Sequence, residues 1–123
     1  MLAPHSMAAA SSRRRQPLLF VIASPLITRL GAEFFALLPA EPGVYFFYDE
    51  GGKLLYIGQS GCLKNRLSSY RHVDPDWHPR RTLRLIQRTA AIQWRVCACT
   101  AEAVAMEAAL LLEHRPPFNR AGV

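Results

Sequence analysis

The sequence predicts an α+β fold, a small three-stranded antiparallel sheet flanked by helices, and three observations point to it. Two aromatic, β-rich runs, 44–48 and 54–58, flank the turn-forming tetrapeptide Asp49-Glu50-Gly51-Gly52, as in a β-hairpin. A third run, 92–96, alternates apolar and polar residues at the period of a half-buried strand. Three further stretches, 63–70, 80–89 and 100–113, repeat apolar residues every three or four positions, the spacing of a helix with one buried face. At 123 residues, half of them apolar, the chain is long enough to bury one modest core and too short for two.

Residues 1–16, rich in Ala, Ser and Arg, hold nothing that builds a core and are expected to form a disordered basic tail, with Met7 as a second candidate start. Residues 17–40 are expected to form an N-terminal helical extension, and 41–123 the main domain. Arg13-Arg14-Arg15 ahead of the apolar run 17–27 has the outline of an export signal. Yet Ser24-Pro25 breaks that run, no small-x-small cleavage site comes after it, and it is too short to span a bilayer, so no membrane partner is expected. Ser24 as N-cap with Pro25 at the first helical position explains the same residues as a helix start. From there 25–38 reads as one or two short helices, interrupted near Gly31 and ended by Pro39, with Leu30, Phe34, Leu37 and Leu38 on the apolar side. Pro42-Gly43 opens the hairpin. Beyond Gly58, Leu63, Leu67 and Tyr70 share one helical face, and 71–79, with two prolines, two aspartates and Trp77, forms a loop. In the next helix Leu83, Ile86 and Ala90 are expected inward, while Arg80, Arg84 and Arg88 line the other side at four-residue steps. The strand 92–96 leads to an alanine- and leucine-rich helix with Thr100 as N-cap and Pro116-Pro117 as its stop.

The formal net charge is +6, from 15 Lys and Arg against 9 Asp and Glu, and 13 of the basic residues are arginine, which grips phosphate bidentately. The excess is local: 59–95 holds Lys64, Arg66, Arg71, Arg80, Arg81, Arg84, Arg88 and Arg95 against Asp74 and Asp76. Nucleic acid is therefore the first partner to expect, although an arginine-biased solvated surface explains the composition equally well. Cys62, Cys97 and Cys99 make no disulfide framework and fit a reducing, cytoplasmic compartment. Cys97 and Cys99, alternating on one strand face, outline a zinc site with His72 or His78. Against that reading, a Cys-x-Cys pair lacks the usual two-residue spacer and buried free thiols are common.

The order hairpin, helix, loop, helix, strand, helix sets Gly43-Val44-Tyr45 and Tyr56-Ile57-Gly58 on adjacent antiparallel strands. Either tripeptide alone is ordinary for a hairpin whose tyrosines pack a core. Taken together with the residues downstream of them, they resemble the GIY-YIG nuclease superfamily, and within it the UvrC-type amino-terminal endonuclease domains, over 42–119. The family pattern places a helix-borne arginine ten residues after the second tyrosine and another tyrosine fourteen after it, and Arg66 and Tyr70 stand there. It then has a glutamate on a later helix and, twelve residues on, an asparagine behind a proline-containing turn, positions held here by Glu107 and Asn119. That register selects Glu107 over Glu113.

The resemblance implies a metal-dependent endonuclease that hydrolyses a phosphodiester bond in nucleic acid, DNA ahead of RNA, in repair or recombination. The residue types suit the chemistry, which needs a proton taken from water, a cation on the phosphoryl oxygens and help for the departing alkoxide. A lone carboxylate suits one hard Mg2+ or Mn2+ ion whose other ligands are water and phosphate. By analogy Glu107 holds the ion, Arg66 binds the scissile phosphate, either Tyr45 or Tyr56 accepts the water's proton, and Tyr70 and Asn119 complete the catalytic set. A phenol with a pKa of about 10 is a poor base near neutrality, so a nearby cation has to favour the phenolate. Gln59 departs from the UvrC-type pattern, which has a lysine three residues after the second tyrosine. If that lysine lowers the tyrosine pKa, Lys64, Arg66 or Arg71 has to compensate, or activity is slow or absent; retention of the other six residues leads us to expect activity. The whole reading requires Tyr45, Tyr56, Arg66 and Glu107 to converge on one pocket.

Two other functions compete, a catalytically weak or inactive nucleic-acid-binding module on the same fold and a small zinc-bound interaction protein. Nucleic-acid contacts are expected from Gln59, Lys64, Arg71, Arg80, Arg84 and Arg88. Only four residues come after Asn119, so target choice is expected to come from the arginine face, the tail or a protein partner, acting on a monomer. Binding should be salt-sensitive and largely independent of sequence.

Overall fold

The structure, a computed structural model, describes residues 30–72, 76 and 79–120. The readings placed on 1–29, namely the basic tail, the export-like run and the Ser24 cap, lie outside the described residues, as do Asp74, Trp77 and His78.

Strands β1 (Gly43–Tyr48) and β2 (Leu54–Ser60) form the expected hairpin. Its turn is closed by Asp49, whose carboxylate accepts the backbone N–H groups of Gly51 and Lys53 at 2.9 Å each, while Gly52 takes the positive φ of 87° that a side chain disfavours. Strand β3 (Ala91–Val96) pairs with the other edge of β1, so the sheet is antiparallel throughout with the order β2-β1-β3. β1 is thus central, and Gly43 to Phe47 are all buried.

Because strand side chains alternate, β1 feeds two cores. Tyr45 and Phe47, with Ile92 and Trp94 of β3, face helix α1 (Ala32–Ala36), helix α2 (Leu63–Ser69), the 3-10 turn Tyr70–His72 and helix α3 (Arg80–Arg88). Val44 and Phe46, with Ile57 of β2, face the long helix α4 (Thr100–His114). The sheet is therefore sandwiched between helices. Part of the N-terminal extension belongs to the first core: Phe34 meets Trp94 edge-on with ring centroids 5.5 Å apart.

Three local expectations change. In α1 it is Phe35, 3 % exposed, that turns inward, whereas Leu37 is 75 % exposed, because the helix is only five residues long and Leu37 already lies past its end. Helix α3 meets the core through Leu85 and Ile86 near its C-terminus, leaving Leu83 and Ala90 half-buried; Arg80, Arg84 and Arg88 are exposed as expected. Thr100 is the first residue of α4 and does not cap it. The N-cap position is Cys99, extended and without a side-chain bond, and the Glu102 carboxylate instead accepts the Ala98 N–H.

β3 stops at Val96, so Cys97 and Cys99 do not alternate along it; Cys97 is buried and Cys99 exposed. Among the described residues no three His, Cys, Asp or Glu side chains cluster as metal ligands, which removes the proposed zinc site as far as those residues go. No helix among them is long and apolar enough to cross a membrane.

Candidate active site

Tyr45 on β1 lies opposite Gly58 on β2. A Cβ at Gly58 would overlap the Tyr45 ring, so glycine at this position lets the ring lie flat across the neighbouring strand. Tyr56 sits two residues earlier on the same face, with its ring centroid 6.2 Å from that of Tyr45. Helix α2 then carries Arg66 over both. Its Nε donates to the Tyr45 hydroxyl at 3.3 Å, and its guanidinium carbon lies 5.4 Å from the centroid of the Tyr70 ring. Tyr70, one turn beyond Arg66, places its hydroxyl 3.1 Å from that of Tyr45. Four of the expected residues, far apart along the chain, thus form one cluster.

The two candidate phenols are not equivalent. Tyr45 is 1 % exposed, and burial first, then repulsion from Tyr70 and Tyr56, pushes its pKa far above the ordinary phenol value, outweighing the Arg66 hydrogen bond. Tyr56 is only partly buried. Desolvation and the Tyr70 hydroxyl push its pKa up to about 12, Arg66 pulls the other way, and the Glu107 carboxylate is close enough to raise it further. Arg66 is held firmly protonated by its bond to Tyr45.

Tyr56, Arg66 and Tyr70 line an open cavity of about 270 Å³, completed by Ser69, Arg81, Thr82, Leu85 and Phe118. Tyr45 lies behind this wall. Glu107 is not among the lining residues: it stands on α4, which packs on β2 from the far side of the sheet, and reaches Tyr56 through its charge. The expected single pocket is therefore a cavity with a carboxylate beside it, because Glu107 and the tyrosines come from opposite faces of the sheet. Glu107 has no hydrogen-bond or ion-pair partner among the described residues, and desolvation raises its carboxyl pKa. A half-buried anion without a protein cation fits a hard divalent ion that brings its own waters.

Asn119 is placed differently from the other site residues. Its Oδ1 accepts the Ile57 N–H and its Nδ2 donates to the Ile57 carbonyl, both at 2.9 Å. Both ends of the amide are spent on the backbone at the outer edge of β2, next to Tyr56. Gln59 shares the strand face of Ile57, the α4 side, and its Oε1 is buried without a hydrogen-bond partner among the described residues. Lys64 is exposed on α2; Arg71 stacks on Phe35 at 5.2 Å and bonds the Ser68 carbonyl, away from the cavity. Arg88 pairs with Asp49 at 3.6 Å and covers the Phe118 ring. Neither Arg80 nor Arg84 lines the cavity, whereas Arg81, which sequence reasoning passed over, does. Its neighbours at four-residue steps made a more obvious stripe, and no spacing along the chain singles out Arg81 from them.

Comparison with known proteins decides the ancestry. A family model described as the UvrC-like GIY-YIG domain matches residues 41–120, which include every site residue above. The chain belongs to the UvrC-like GIY-YIG family. This GIY-YIG domain is 44 % identical over 82 residues to UvrABC system protein C of Acaryochloris marina and 43 % identical over 82 residues to that of a Synechocystis strain. In both cases 67 % of the chain matches 13 % of the relative, so it spans a small fraction of those proteins' length. In three dimensions it resembles the crystal structure of the GIY-YIG N-terminal endonuclease domain of UvrC from Thermotoga maritima bound to its catalytic divalent cation, magnesium. That match has a TM-score of 0.63 and 32 % identity, and it covers 72 % of this chain and 93 % of the other. The GIY-YIG fold, with its three-stranded sheet, is thereby established here, and the domain is homologous to a magnesium-bound endonuclease.

Proposed function

We propose that this domain is a Mg2+-dependent endonuclease that hydrolyses a DNA phosphodiester bond. The observation that carries it is the pairing of Arg66 and Tyr56 on one cavity wall with a half-buried Glu107 carboxylate that has no partner among the described residues and lies within charge reach of Tyr56. Glu107 holds the metal, which when bound neutralises the phosphoryl oxygens and acidifies water. Arg66, kept protonated and aimed by Tyr45 and Tyr70, orients the scissile phosphate. Tyr56, the more accessible phenol and the one nearer neutrality, accepts the water's proton, and Tyr45 acts by holding Arg66. Asn119 positions Tyr56 by clamping β2. Gln59, on the α4 side of the sheet, leaves Arg66 as the cation that lowers the Tyr56 pKa.

The relatives' place in a UvrABC system supports a protein partner for targeting, and three free thiols suit a cytoplasmic setting. The test is a nicking assay with Mg2+ on supercoiled, damaged and branched DNA. Wild type should cut and Glu107→Ala should not, by a margin of roughly 10²–10³-fold. Equal DNA affinity with and without Mg2+, and no cutting, would instead make the domain a binding module.

A further inference from the structure

Resting on that reading, we propose that the cavity is a nucleotide subsite beside the scissile position, in which Arg81 holds the phosphate next to the one under attack. The cavity has two ends of different chemistry. Arg66, Tyr56 and Tyr70, with Ser69 whose hydroxyl donates to the Arg66 carbonyl, form the reacting side, and Arg81 and Thr82, adjacent on α3, add a second polar group to the same lining. Leu85 and Phe118 supply an apolar wall. An arginine accompanied by a hydroxyl is a phosphate-binding set, and an apolar wall beside it accepts a sugar or base face. At about 270 Å³ the space is of the order of nine water volumes, enough for a phosphate with its sugar and far more than a lone ion needs.

Arg81 is also held in place. Its terminal Nη2 donates to the Arg120 carbonyl at 2.9 Å, which ties the orientation of the guanidinium to the turn that carries Phe118 and Asn119. A guanidinium is a planar fork of five donors, so a bond at one nitrogen constrains the plane of the whole group. The same bond links the subsite to the Asn119 clamp on β2, so the adjacent phosphate and Tyr56 are registered through one short segment.

The discriminating variants are Arg81→Gln, which keeps an N–H donor for the Arg120 carbonyl and removes the charge, and Arg81→Lys, which keeps the charge. Lys53→Ala, in the hairpin turn, is the charge-matched control. Each is measured for binding to a short DNA duplex in EDTA across a salt series and for steady-state cleavage with Mg2+. For Arg81→Gln we expect the dissociation constant and KM to rise about tenfold, kcat to hold, and the salt slope to fall by about one, with Arg81→Lys near wild type and Lys53→Ala unchanged. Binding by Arg81→Gln equal to that of Lys53→Ala would overturn the subsite, as would loss of kcat with KM unchanged. A wild type that binds but never cuts would sink the nuclease reading, while the EDTA titration would still decide whether Arg81 contacts phosphate.

Discussion

Tyr56 and Glu107 carry the chemistry in opposite ways, and each makes a prediction of its own. With its pKa pushed up to about 12, Tyr56 is almost wholly protonated at neutrality, so the reactive phenolate fraction grows tenfold with each pH unit well below that value. The cleavage rate at saturating Mg2+ should climb with pH between 7 and 9. Tyr56→Phe should flatten that profile and lower the rate by roughly 10²–10⁴-fold, whereas Tyr45→Phe should keep the slope. Glu107 has its carboxyl pKa raised by desolvation, so any stability it contributes is full below the ordinary carboxylate value and lost as pH rises through the folded pKa. At pH 7 the metal-free protein therefore bears a cost for this charge. Glu107→Gln should melt higher than wild type in EDTA at pH 7 and lose the upward shift in Tm that Mg2+ gives wild type, which thermal melts with and without the ion will read.

Strand β2 is an edge strand that has to be held still, because it carries Tyr56 and lets Tyr45 lie across it at Gly58. The sheet secures it on one side only. On the other, the Asn119 amide mimics a ladder partner by bonding both the N–H and the C=O of Ile57. Asn119→Ala leaves both backbone groups without that partner and should cost about 1–3 kcal/mol of stability in denaturant titrations. Activity should fall mainly in kcat, since substrate still meets Arg66 and Arg81. Helix α2 plays the matching part across the cavity. Leu63 and Leu67 anchor it in the core, and the intervening turn projects Arg66 onto Tyr45. Rigid elements on both sides of the cavity keep the guanidinium and the phenol in register with each other.

Taken over the whole molecule, burying a tyrosine cluster at the centre of a small sheet sets an alkaline limit. Both Tyr45 and Tyr56 have pKa values raised from 10.0, so below that pH they are neutral folded or unfolded, and above it the unfolded chain ionises first. Stability is then lost at about 1.4 kcal/mol per pH unit for each tyrosine so affected. Urea titrations from pH 8 to 11 should show a plateau and then a steep fall above pH 10, less steep in Tyr45→Phe. The hairpin, the third strand and the order of helices were readable along the chain, and the register of the resembled family singled out Tyr45, Tyr56, Arg66 and Tyr70, which the fold brings together. They rest on local periodicity, turn chemistry and fixed intervals, which a linear pattern carries. Other features were not readable: that Phe35 and Leu85 turn inward, that Asn119 bonds a backbone 62 residues away, that Tyr56 and not Tyr45 faces the cavity, and that Arg81 lines it in place of Arg80, Arg84 and Arg88. Each depends on how far a helix is rotated, or on which side of an edge strand a distant segment docks. Those angles are set by packing between elements remote in the chain, and no spacing within a single element encodes them.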